Sequence, residues 1–220
     1  MHGLVIRNTG YSYTVKSDAG DVFECKVKGN FRIRGIRTTN PIAIGDRVTF
    51  TPQQVGADIE QAHQGLITEL DDRKNYIIRK STNLSKQSHI IAANIDRCYL
   101  VITIKHPETP LQFIDRFLAS AEAYNVDVTL VFNKIDLVTK EWKDYLEGVI
   151  NLYETIGYEC RKISAKTGEG VEEMRNELKG RITLLSGNSG VGKSTLINKL
   201  YPNLALKTSE ISDAYNTGKH

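Results

Sequence analysis

Two short runs hold residue types that nucleotide chemistry needs at fixed spacing. The run GNSGVGKS, from Gly187 to Ser194, fits the pattern GxxxxGKS and follows the apolar stretch RITLL. A loop of this kind wraps an anion with backbone N–H groups, and side chains at some positions would block the approach. Gly187, Gly190 and Gly192 relieve that problem. A helix opening near Lys193 would turn its positive end toward the phosphates. Lys193 would reach the β- and γ-phosphates and is the candidate catalytic residue, while the Ser194 hydroxyl would ligate Mg²⁺. Asn188, Ser189, Val191 and Thr195 complete the expected phosphate contacts. The bland alternative, a glycine-rich turn before an ordinary helix, leaves the flanking strand pattern unexplained.

The second run is NKID, Asn133-Lys134-Ile135-Asp136, at the end of the apolar stretch DVTLVF. Guanine presents two adjacent donors, N1–H and the 2-amino group, and one carboxylate accepts both. Asp136 suits that task. Adenine would leave the carboxylate unpaired, and such a mismatch rejects the wrong partner by roughly 10⁴-fold. Asn133 would contact the O6/N7 side of the base or brace the loop, and the Lys134 stem would cover the base face. Downstream, SAKTGEG supplies Ser164, Ala165 and Lys166, with the Ala165 N–H available to guanine O6. NKxD alone is also a reasonable turn. Its combination with SAK and then the phosphate loop is much more specific.

These motifs need a sheet edge to hold them. DRCYLVITI is a nearly continuous apolar run, as expected for a strand buried on both faces. PLQFIDRFLASAEAYN follows, with Leu111, Ile114, Leu118 and Ala121 on one helical stripe. DVTLVFN, a helix near 141–156, ECRKISA, a helix in VEEMRNELKG, and RITLLSG continue the alternation. Trp142 and the tyrosines Tyr145 and Tyr153 are expected in the core of the 141–156 helix, with Leu146 and Val149. Strand–helix repetition of this kind predicts a parallel sheet covered by helices, with its ligand at the carboxyl edge.

The first 70 residues have a different period. Tyr11, Tyr13 and Val15 are expected on one face, as are Phe23, Cys25 and Val27, then Val48 and Phe50; GLITEL supplies another strand. About five short strands favour a closed Greek-key barrel of the OB type, with an SH3-like barrel as the alternative. The organisation expected is a barrel over 1–70, a polar linker over 71–90, and an α/β P-loop domain over 91–220. In KVKGNFRIRGIR, Lys26, Lys28, Arg32, Arg34 and Arg37 stand without an acid, and Phe31 lies among them. This run suits an RNA backbone with Phe31 stacked on a base; a solvated strand face is the competing reading.

Composition excludes some classes. The 220 residues carry a net charge of +3, with 40% hydrophobic and 25% charged residues, as in an ordinary globular protein. No stretch approaches the roughly 20 apolar residues of a membrane span, and no leader is evident. Cys25, Cys98 and Cys160 have no metal-ligand spacing and are expected as buried free thiols in the cytoplasm. His89 and His106 lack neighbours at ligand or triad spacing, and surface or packing roles are expected for them.

The base motif precedes the phosphate loop, the reverse of the familiar G-domain order. A site depends on spatial arrangement, so joining a domain's ends and cutting elsewhere preserves it. The two motifs are then one circularly permuted site. The order NKID, SAK, GNSGVGKST behind a small barrel resembles the permuted ribosome small-subunit-dependent GTPases, the RsgA or YjeQ family; GDRVTF and TSEISDAYNTGKH add to the likeness. The resemblance implies GTP hydrolysis to GDP, stimulated by the small (30S) ribosomal subunit during its late maturation. It also implies contact with that subunit's rRNA through the basic run; the protein is expected to be a cytoplasmic monomer. In the family the chain continues past the position of His220 into the rest of switch I, a DTPG motif and a Zn²⁺-binding C-terminal domain. The expectation is therefore a piece of a longer protein that binds nucleotide and hydrolyses it inefficiently. Four of the six familiar sheet positions are expected here. Two alternatives stand beside the GTPase reading. One is a nucleotide-regulated RNA-binding module with little turnover; the other is a P-loop small-molecule kinase, against which Asp136 argues.

Overall fold

The computed structural model describes residues 1–27, 41–53, 63–80 and 88–206. It divides into two compact units, Met1–Ile95 and Asp96–His220.

In the first unit, strands β1 (His2–Asn8), β2 (Tyr13–Ser17), β3 (Val22–Val27), β4 (Arg47–Gln53) and β5 (Gln64–Leu70) close in the order β1-β2-β3-β5-β4. Among the described barrel strands β3 and β5 pair in parallel, and the other pairs are antiparallel. This is the OB-type barrel. Alternation drives it, because Val5, Val15, Cys25, Val48, Phe50 and Ile67 are fully buried inside, with Phe23 and Tyr13 beside them. Tyr11 does not share their face. It lies in the turn before β2 and is 94% exposed. There Asn8 Oδ1 accepts the Gly10 N–H at 2.7 Å, so the turn chemistry of Asn and Gly overrides the alternation.

Residues 71–90, expected as a linker, contain strand structure. Strands β6 (Tyr76–Lys80) and β7 (Ser88–Ala93) form an antiparallel ladder whose register shifts between Ile77 and Ile78. That bulge breaks the period-two pattern a sequence reading depends on. The unit extends to Ile95 because the ladder is fastened to the loop before β4. Ala93 N–H donates to Ile44 O at 2.9 Å, and Asn94 Nδ2 donates to Gly45 O at 2.9 Å. Arg73 adds a buried ion pair. Its Nε and Nη2 donate to Asp46 Oδ1 and Oδ2 at 2.7 and 2.6 Å, and Nη2 also reaches Pro41 O at 2.8 Å. Breaking one partner of so buried a pair costs roughly 3–5 kcal/mol.

The second unit holds a four-stranded parallel sheet in the order β10-β9-β8-β11, from β8 (Arg97–Ile102), β9 (Val128–Phe132), β10 (Glu159–Lys162) and β11 (Thr183–Ser186). Helices α1 (Leu111–Ala123), α2 (Lys140–Thr155), α3 (Val171–Leu178) and α4 (Lys193–Leu200) alternate with the strands. Among the described strands of this sheet the last in sequence, β11, lies beside the first, β8. One face carries Tyr99, Val101 and Val131 against Val171, Met174 and Leu178 of α3 and Leu196 and Leu200 of α4. Right-handed crossovers put α1 and α2 on the other face, where Tyr153 O–H donates to Asp115 Oδ1 at 2.9 Å. On α2, Leu146, Val149, Ile150 and Tyr153 are buried, whereas Tyr145 is exposed and Trp142 half-buried. The two aromatics stand on the edge of the helix rather than in its core. Cys25 and Cys98 are buried free thiols, and Cys160 is a free thiol only half-buried. No described helix is long and apolar enough to cross a membrane.

Candidate nucleotide site

The carboxyl ends of β8, β9, β10 and β11 each run into a loop, and the last three of these loops carry NKID, SAK and the phosphate loop in turn. After β11, the loop from Gly187 to Gly192 turns into α4, whose first residue is Lys193. Three positive φ angles shape it: 142° at Gly187, 82° at Gly190 and 95° at Gly192. At two positions glycine is also required by contact. A Cβ on Gly187 would sit 2.2 Å from Val101 O, and one on Gly192 would sit 2.5 Å from Asn133 Nδ2. No side chain caps α4, so its first N–H groups face the loop. Lys193 Nζ donates to Gly187 O at 2.8 Å and Asn188 O at 2.6 Å, curling over the loop it belongs to. Burial lowers its pKa from the ordinary lysine value. Gly190, Gly192, Ser189, Ser194 and Thr195 are half-buried at the loop and the first helical turn. Val191 is fully buried, its side chain in the core under α4, so only its backbone faces the loop.

After β9, Asn133 is 4% exposed and serves as a brace. Its Nδ2 donates to Val191 O at 2.8 Å, and its Oδ1 accepts the Ala165 N–H at 3.0 Å. The N–H that the sequence reading offers to guanine O6 is thus engaged by Asn133. One buried amide joins the base motif to both other loops. Lys134 follows in the left-handed region, with φ 63°. Its Nζ donates to Gly190 O at 2.8 Å and to His106 O at 2.5 Å. Burial lowers the Lys134 pKa, and the Asp136 charge opposes the shift. Ile135, half-buried, opens a single 3₁₀ turn that carries Asp136.

Asp136 itself is exposed, and its Oδ1 accepts the Ser164 O–H at 2.6 Å. Ser164 is fully buried, and its Oγ also accepts the Thr167 N–H at 3.1 Å. The buried hydroxyl aims the carboxylate while leaving Oδ2 for another donor. In this structure Ser164 and Ala165 hydrogen-bond to the base motif, and Lys166 is exposed beside them.

The motifs do not include His106, in the loop after β8, whose backbone carbonyl accepts from Lys134 Nζ. No side-chain pattern signals a carbonyl. Lys26 is exposed on β3; the rest of the expected RNA-binding run, Lys28, Phe31, Arg32, Arg34 and Arg37, lies outside the described residues, as does 207–220. Among the described residues no three His, Cys, Asp or Glu side chains gather into a metal-holding group. The Ser194 hydroxyl, on the first turn of α4, is a hard oxygen donor. It suits Mg²⁺, which takes one or two protein ligands and completes its shell with phosphates and water.

A parallel sheet with a phosphate loop after one strand, a guanine-type motif after another, and the base motif first in the chain defines a circularly permuted P-loop GTPase domain behind an OB-type barrel. Comparison with known proteins gives the family. The RsgA GTPase model matches residues 70–220, and the RsgA N-terminal domain model matches residues 2–59. A small ribosomal subunit biogenesis GTPase RsgA from Bacteroides fragilis is 60% identical over the whole chain, which spans 69% of that protein. One from Bacteroides thetaiotaomicron is 58% identical over the same span. The crystal structure of YjeQ from Thermotoga maritima matches 95% of this chain, and 68% of its own, with TM-score 0.73 and 34% identity. YloQ, a circularly permuted GTPase, matches 92% of this chain and 64% of its own, with TM-score 0.67 and 26% identity. The chain belongs to the RsgA GTPase family.

Proposed function

We propose that this chain binds GTP and GDP through the four loops at the carboxyl edge of its sheet, and that it acts as a GTPase in the biogenesis of the small ribosomal subunit. The observation that carries the reading is the Asn133 brace, which holds the base motif against the phosphate loop. With those loops fixed together, Asp136 accepts N1–H and the 2-amino group of guanine, while the Lys134 stem flanks the ring. The backbone N–H groups from Asn188 to Ser194 surround the phosphates, and the helix α4 terminus adds a favourable field. Lys193 exchanges its two loop carbonyls for phosphate oxygens and offsets charge as the terminal phosphoryl group leaves. Ser194 would hold Mg²⁺, which when bound neutralises charge on the β- and γ-phosphates. Binding of the small subunit's rRNA falls to the barrel, where exposed Lys26 leads into the basic run.

Calorimetry with GTP, GDP and ATP on this chain tests the site, and turnover with and without small subunits tests the role. Guanosine selectivity and subunit-stimulated release of phosphate are expected. Equal affinity for ATP would overturn the base site. Turnover indifferent to subunits, in this chain and in a longer one that carries the rest of switch I, would overturn the ribosomal role.

A further inference from the structure

The loop between β8 and α1 belongs to no motif, yet it contacts the base site. Its base is closed by Thr103 and Thr109: Thr103 N–H donates to Thr109 Oγ1 at 3.1 Å, and Thr109 N–H donates to Thr103 O at 2.9 Å. Its far side is held from α2. Lys105 Nζ lies 3.9 Å from the centre of the Trp142 ring, the single tryptophan of the chain. Tyr145 supports that ring edge-on, with centroids 5.6 Å apart and planes at 86°. The residue after Lys105 is His106, whose carbonyl receives Lys134 Nζ. Continuous contacts thus run from Trp142 through Lys105 and His106 to Lys134, and from there to Gly190 in the phosphate loop.

We propose that Lys105 and Trp142 are positioning residues for the guanine pocket. The indole face fixes Lys105 by cation–π attraction. Lys105 in turn sets the adjacent His106 carbonyl at one of the two oxygens that cage the Lys134 ammonium. A caged ammonium gives the Lys134 stem a single direction, which is what a flat base needs beside it. Without the indole, the loop loses its outer support and Lys134 keeps only Gly190. This inference rests on the base-site reading above.

The test is a double-mutant cycle on the full chain, read as GDP affinity by calorimetry. Lys105→Ala and Trp142→Ala are each expected to weaken GDP roughly twofold to fivefold, the size of one exposed cation–π contact. The double variant should be no weaker than the poorer single, because one contact is being removed twice. Lys105→Arg and Trp142→Phe should restore binding, and neither alanine change should matter further in a Lys134→Met background. Additive losses, unchanged affinity in the singles, or an undiminished effect in the Lys134→Met background would each overturn the proposal. Failure of the base-site reading itself would show earlier, as a wild-type chain that binds ADP as well as GDP.

Discussion

Asn133 and Val191 stand 58 positions apart in the chain, and a 2.8 Å hydrogen bond from the Asn133 side-chain amide to the Val191 carbonyl joins them. With the Ala165 N–H on the other side of the same amide, this bond makes one site of three loops. Asn133→Ala leaves both backbone groups buried and unpaired. Each such group costs about 1–3 kcal/mol, so denaturant unfolding should show the second unit destabilised by about 2–6 kcal/mol. GDP affinity should fall with it. Unchanged stability would mean the amide is not a brace.

Asp136→Asn changes the base preference rather than the fold. The asparagine oxygen still accepts from Ser164, while its NH₂ faces the two guanine donors. Guanosine nucleotides should weaken by roughly 10⁴-fold. Xanthosine nucleotides, with a carbonyl where guanine carries its amino group, should gain. Competition calorimetry with GDP and xanthosine diphosphate reads both, and retained GDP affinity would remove Asp136 from the site.

Gly187→Ala and Gly192→Ala should fail in different ways. At Gly187 the new methyl meets Val101 O of the central strand at 2.2 Å, and backbone there cannot yield. At Gly192 it meets the Asn133 side-chain nitrogen at 2.5 Å, which can turn aside only by giving up its bond to Val191 O. The expectation is a chain that melts early for Gly187→Ala and a folded chain with weakened GDP binding for Gly192→Ala. Each also bears about 1–2 kcal/mol for a left-handed non-glycine residue. Identical melting curves for the two variants would contradict this division.

Burial pushes the Cys98 thiol up from 9.0 to about 12. A raised folded-state pKa means the unfolded chain releases its proton first. The associated stability is therefore complete below pH 9 and is lost as pH rises toward 12. Cys98→Ala should flatten the decline in unfolding free energy over that window, relative to the wild-type chain. At neutral pH a thiol reagent should leave Cys98 unmodified until the chain is unfolded. Parallel pH profiles for the two proteins would show that Cys98 ionises in the folded state as freely as in the unfolded one.

Arg32 and Arg34 lie in the basic run that β3 leads into. Their joint replacement by alanine should weaken subunit binding and reduce the slope of log K against log salt by about 1.5–2, since each phosphate contact releases a counterion. An unchanged slope would count against RNA contact through this run.

Much of this was legible in the chain before it folded. The barrel's inward residues Val15, Phe23, Cys25, Val48 and Phe50 announce themselves by period two, and a strand buried on both faces, such as β9, reads as an unbroken apolar run. GNSGVGKS is legible because its chemistry is local: glycines, lysine and serine act within one turn. The β6–β7 ladder was not, because its bulge erases the alternation. Tyr11 was misplaced because a turn interrupts the period-two run to which its sequence assigns it. Trp142 and Tyr145 follow a helical spacing, but only the packing of α2 decides which part of its circumference meets the sheet.

The sequence by itself determined which ligand groups the protein can address: a carboxylate for two adjacent donors, and a glycine loop with a lysine for phosphates. Tertiary structure alone decided that they form one site, and what each supporting residue does. Asn133 became a brace, Ser164 an aiming hydroxyl, and His106 a carbonyl anchor. Those roles depend on distances between backbone groups far apart in the chain, and residue type carries no record of which carbonyl will come within hydrogen-bonding reach.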